Sequence, residues 1–137
     1  MKHFLGRLLG PGADACSLVN ARTGSVLADV IEAAVDSKSR RRGLLGRDGL
    51  PDGHALVLAP CNAVHTCLMR FAIDVAFVAR DGCVLKTVEP LGAWRVAMGL
   101  RAFATIELPE GALRRHGVVT GDRLVVHAAT ERSVPSS

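Results

Sequence analysis

Two acids set in apolar runs are the residues of this 137-residue chain best placed to do chemistry. Asp74 interrupts Ile73-Asp74-Val75-Ala76-Phe77-Val78, and Glu107 sits in Thr105-Ile106-Glu107-Leu108. An ionised carboxylate in such surroundings is costly unless paired or hydrogen-bonded, so each acid needs a partner. Arg42 and Arg47 are the candidates. They straddle Gly43-Leu44-Leu45-Gly46, whose leucines must face the core, and either guanidinium can fork onto Asp74 or Glu107. His65 is a further candidate at a pocket mouth.

Several chemistries compete for these residues. Asp74 and Glu107 as a carboxylate pair suit general acid–base work. The plainer alternative has each acid neutralised by an arginine or by turn N–H groups, and the surplus of arginine favours it. His65, Cys67 and Met69 fall on alternate positions, as soft metal ligands on one strand face do. The C-x3-H-x-C spacing from Cys61 departs from zinc patterns, however, so core packing is the expected role and no metal or other cofactor is expected. No G-x-S-x-G, G-x-x-x-x-G-K or G-x-G-x-x-G motif is present.

The run Lys38-Ser39-Arg40-Arg41-Arg42, with Arg47 beyond it, is the strongest electrostatic feature. Net charge is +4 and the isoelectric point about 9.2. These permit nucleic-acid contact through residues 38–47, although stacking aromatics are scarce, with four Phe, one Trp and no Tyr. The apolar start of the chain is broken by Arg7 and glycines, short of a secretory core, and no run is long enough to span a bilayer. A cytoplasmic protein with reduced thiols at Cys16, Cys61, Cys67 and Cys83 is therefore expected, with no membrane partner.

The elements that would position these residues are short. Residues 16–35 read as a hairpin turning at Arg22-Thr23-Gly24. Asp36 or Ser37 caps a helix over Lys38 to Leu45, closed by Gly46. Strands are expected at 54–59, 63–70, 73–79 and 83–89, the last two joined at Asp81-Gly82. A loop over 90–101 leads to a strand from Ala102 to Leu108. Pro109 then opens a helical turn through Arg115, and the last strand runs from Arg123 to Ala128. This pattern predicts one domain over 16–128, between a loosely held leader (1–15) and a flexible tail (129–137). Its class is mainly β: a compact β-sandwich, jelly-roll-like, or a partly open barrel, with one or two short helices.

Five blocks in order resemble the uncharacterised prokaryotic family known as domain of unknown function 192, over roughly Leu18 to Val126. They are Arg42-Gly43-Leu44-Leu45-Gly46-Arg47, then Met69 with Ile73-Asp74, then Asp81-Gly82, then Ile106-Glu107-Leu108-Pro109 with Gly111, and finally Gly121-Asp122. Relatives carry an aromatic-rich F-W-M-x-N-T segment where this chain has Cys67-Leu68-Met69-Arg70-Phe71. The resemblance implies a jelly-roll-like sandwich with a small helix, and carries no activity.

The functional expectation is thus a non-catalytic module binding a small polar ligand or peptide at Arg42, Arg47, His65, Asp74 and Glu107. The alternatives are a hydrolase-like acid–base enzyme using Asp74 and Glu107, and a basic accessory protein touching nucleic acid through residues 38–47.

Overall fold

The computed structural model describes residue 6, residues 16–67 and residues 69–128. The expected leader (apart from residue 6) and tail lie outside the described residues. Strands β4 (His54–Leu58), β6 (Ile73–Val78) and β9 (Ala104–Pro109) are largely apolar, apart from His54, Asp74, Thr105 and Glu107, because they occupy the middle of a five-stranded sheet buried on both faces. Its order is β3-β4-β9-β6-β7, with β3 spanning Val30–Ala34 and β7 Val84–Leu91. Only β3 and β4 pair in parallel.

Side-chain alternation divides this sheet into two cores. On one face Val57, Ala76, Val78, Ile106 and Leu108 pack against Leu18, Leu27, Leu124 and Val126. Those four belong to a three-stranded antiparallel sheet of order β10-β1-β2, built from Leu124–Ala128, Cys16–Asn20 and Val26–Ala28. On the other face Leu56, Leu58, Ile73, Val75 and Phe77 meet Leu44, Leu50, Val64, Met69 and Ala97. Helix α1 (Ser37–Arg42) leads into that second cover. A two-stranded ribbon, β5 (Ala63–His65) paired with β8 (Val96–Met98), completes it. Gly99 lets the ribbon settle: a Cβ there would stand 2.5 Å from Phe77 Cγ. The class is mainly β with stacked sheets and two short helices, as expected. No helix among the described residues is long and apolar enough to cross a membrane.

Several local expectations change. The return strand of the 16–35 hairpin splits at Asp29, where the Asp29 and Val30 amides both donate to Gly53 O and pass the chain to the other sheet. Asp36 is the N-cap, accepting from Ser39 N at 2.8 Å, but α1 ends at Gly43, not Gly46. The strand expected over 63–70 stops at His65. Thr66 is buried there, with its hydroxyl given to Gly92 O and accepting from Arg95 N. His65, Cys67 and Met69 therefore do not share a strand face. The 90–101 loop contains the end of β7 and all of β8. Pro109 closes β9, and the helix behind it, α2, covers only Ala112–Arg115.

Candidate functional site

Glu107 lies at the centre of β9, opposite Leu56 on one neighbour and Val75 on the other. Its face of the sheet is covered unevenly. The α1–Gly43–Leu45 segment stands on one side and the Cys61–His65 segment on the other, and a cleft of about 640 Å³ remains between them. Cys61 is tied back to β9 because its amide donates to Phe103 O and its carbonyl accepts from Thr105 Oγ1. Half-buried Arg40 and exposed Arg42 and His65 line the cleft, while Leu44, Leu58, Met69 and Glu107 form its buried end.

Glu107 Oε2 is buried and has no hydrogen-bond partner among the described residues. Burial pushes its carboxyl up to about 7, partly countered by the nearby positive charge of Arg47. Arg47 does not bond Glu107. It forks onto Glu32 of β3, Nη1 to Oε1 at 2.9 Å and Nη2 to Oε2 at 2.7 Å, holding Glu32 below the ordinary carboxylate range. Arg40 Nη1 likewise donates to the carbonyls of Val35 and Ala59. Near neutrality Glu107 is divided between a form that accepts hydrogen bonds and one that donates, with a solvent-accessible cleft before it.

Asp74 is elsewhere. It is opposite Leu108 on β9, whereas its neighbour Val75 is opposite Glu107, so the two acids point through opposite faces of the sheet. The alternative of an Asp74–Glu107 carboxylate pair does not form, and neither Arg42 nor Arg47 is bonded to Asp74. Its partner is α2. Gly111 at the N-cap has no side chain to offer, and Asp74 Oδ2 instead accepts from Leu113 N at 3.0 Å. Oδ1 is buried without a hydrogen-bond partner among the described residues. A recess of about 200 Å³ there is also lined by Glu89, Glu110 and Arg114.

Of the five residues singled out, Arg42, His65 and Glu107 line one cleft, Arg47 acts on it through charge, and Asp74 belongs to another site. Sequence reasoning missed Arg40 and Cys61 as cleft residues. It also missed a third acid, Asp122, seen only as part of Gly121-Asp122. Buried Asp122 accepts from Arg22 Nε at 2.6 Å, from Asn20 Nδ2 at 2.9 Å and from Val119 N at 2.9 Å. These bonds, led by that to Arg22, keep its carboxyl well below the usual range, and they join β1 to the turn before β10. No group of three His, Cys, Asp or Glu among the described residues is placed to hold a metal ion.

Two solved structures share the fold. A candidate transcription regulator from Sinorhizobium meliloti 1021 superimposes with a TM-score of 0.69 at 24% identity, covering 80% of this chain and 89% of its own. A protein of unknown function from Novosphingobium aromaticivorans DSM 12444 gives 0.67 at 21% identity, covering 80% and 81%. No curated protein is significantly similar in sequence. The family model described as an uncharacterised ACR family matches residues 18–126, which contain both β cores, the cleft and the Asp74 recess. The chain therefore belongs to the family of domain of unknown function 192.

Proposed function

We propose that this protein is a non-catalytic binding module that takes a small polar ligand in the Glu107 cleft. One observation carries the reading: Glu107 Oε2 is buried at the closed end of that cleft with no partner among the described residues. An unpaired buried carboxyl oxygen costs about 1–3 kcal/mol, and a ligand hydroxyl, amide or amine donating to it removes that cost. Arg42 and His65, exposed along the same cleft, suit a second polar or anionic part of the ligand. Free thiols at Cys61, Cys67 and Cys83 fit the cytoplasmic setting.

The test is a thermal-shift screen of amino acids, primary amines, polyols and sugars on wild type, Glu107→Gln and Asp74→Asn. A hit that weakens roughly tenfold in Glu107→Gln and persists in Asp74→Asn supports the cleft. Hits that bind Glu107→Gln equally well, or no hit at all, contradict it.

An acid–base enzyme is the second reading, favoured by a carboxyl titrating near neutrality beside His65 and Cys61. In that case Glu107 acts without Asp74, which faces the other side of the sheet. Nucleic-acid contact through residues 38–47 has less support. Arg40 and Arg47 are engaged by Val35, Ala59 and Glu32, and likeness to a candidate transcription regulator at 24% identity speaks to fold alone.

A further inference from the structure

The β5–β8 ribbon is the outermost layer over the second core, and its outward face is apolar where a solvated face is expected. Trp94 is 62% exposed, Val96 66%, Met98 50% and Leu100 77%. Inward-pointing Ala97 and Val64 are buried, so alternation sets Val96 and Met98 outward, and Trp94 and Leu100 are exposed just beyond the two ends of β8. Trp94 has a positive φ of 61°, a conformation that a bulky residue adopts only when its surroundings impose it. Those surroundings are identifiable: buried Thr66 accepts from Trp94 N through its carbonyl and from Arg95 N through its hydroxyl, while that hydroxyl donates to Gly92 O. The fold holds its only tryptophan out into solvent.

Charge identifies what this face would meet. Residues 60–72 and 90–106, which include the ribbon and its flanks, contain no Asp or Glu. Exposed Arg95 lies between Trp94 and Val96, exposed Arg101 follows Leu100, and neither forms an ion pair among the described residues. Lys86 reaches the same strand, its Nζ donating to Met98 O at 2.7 Å. A second copy of this chain would set one cationic face against another, which like-charge repulsion opposes. Exposed apolar side chains interleaved along the chain with exposed arginines, a lysine reaching Met98 and a tryptophan at one end match an anionic lipid surface instead. The indole and aliphatic groups enter the headgroup boundary and the arginines meet lipid phosphates.

We propose that the strip Trp94–Val96–Met98–Leu100, flanked by Arg95 and Arg101, docks this protein peripherally on an anionic bilayer surface. Such a contact needs no long apolar run, so a sequence scan for spanning segments does not register it. It is independent of any ligand at Glu107.

Trp94 provides the test, since its fluorescence reports on this strip alone. Titration with mixed phosphatidylcholine–phosphatidylglycerol vesicles is expected to shift its emission to the blue and to co-sediment the protein, both effects declining with added salt. Phosphatidylcholine vesicles are expected to bind several-fold more weakly. Met98→Asp, at an exposed position, is expected to weaken binding roughly tenfold or more. Arg95→Glu and Arg101→Glu should each weaken it roughly fivefold on the anionic vesicles only. Glu107→Gln should leave it unchanged. The proposal is overturned by an emission unmoved by vesicles, by equal binding to both lipid compositions, or by a blue shift that follows protein concentration without lipid.

Discussion

Asp74 and Glu107 lie one residue out of step on adjacent strands and face opposite sides of one sheet, Asp74 opposite Leu108 and Glu107 opposite Val75. That parity separates two acids that look alike in sequence. Asp74 holds the end of a helical turn, whereas Glu107 Oε2 ends in a cleft with no hydrogen-bond partner among the described residues.

Glu107 makes the fold weaker as pH rises. Its folded-state value of about 7 lies above the ordinary glutamate value of roughly 4.3, so the folded protein holds the proton longer than the unfolded chain. Below the unfolded value both states are protonated and there is no penalty. The penalty grows between the two values and levels off above 7. Glu107→Gln, measured by denaturant unfolding, is therefore expected to gain on wild type across that window by an amount on the order of 3 kcal/mol. A difference independent of pH would contradict the assignment.

Asp74 should behave as a structural acceptor. Asp74→Ala leaves the Leu113 amide without its bond and is expected to cost about 1–3 kcal/mol. Asp74→Asn keeps an acceptor oxygen and should cost less. If both variants unfold at the wild-type denaturant midpoint, the capping role is wrong.

The Arg47–Glu32 fork has good geometry but partial exposure, so its worth is modest. A double-mutant cycle with Arg47→Ala and Glu32→Ala should return a coupling of roughly 1 kcal/mol or less, reduced by salt. A coupling several times larger would show that the pair carries the stability of the β3 edge.

Gly99→Ala tests the seating of the ribbon. Its Cβ would press on the Phe77 ring in the second core, and overpacking of that kind costs typically 1–3 kcal/mol. An Ala variant as stable as wild type would mean that the ribbon is looser than its contact with Phe77 implies.

Much of the fold was legible because burial leaves plain traces. Double-sided burial makes β6 and β9 apolar except for Asp74, Thr105 and Glu107, Asp36 announces α1, and Asp81-Gly82 marks the β6–β7 turn. Other features leave none. Asp29 is an ordinary polar residue, and only the carbonyl of Gly53, in the turn before β4, makes it a crossing between sheets. Strand β8 was hidden because its outward residues are apolar, which erases the alternation expected of a surface strand. For the site, alternation along one strand says which residues share a face. It does not say how strands some thirty residues apart align, and a one-residue difference in register decides whether Asp74 and Glu107 meet.

The most direct test is a pH titration of the Glu107 side-chain carboxyl by carbon-13 NMR, assigned by loss of its signal in Glu107→Gln. A buried, unpartnered carboxyl at the end of the cleft is expected to titrate near 7. A midpoint near the ordinary value of about 4.3 would mean that water or a hydrogen bond already satisfies Glu107, and the cleft would lose the feature on which the binding role rests.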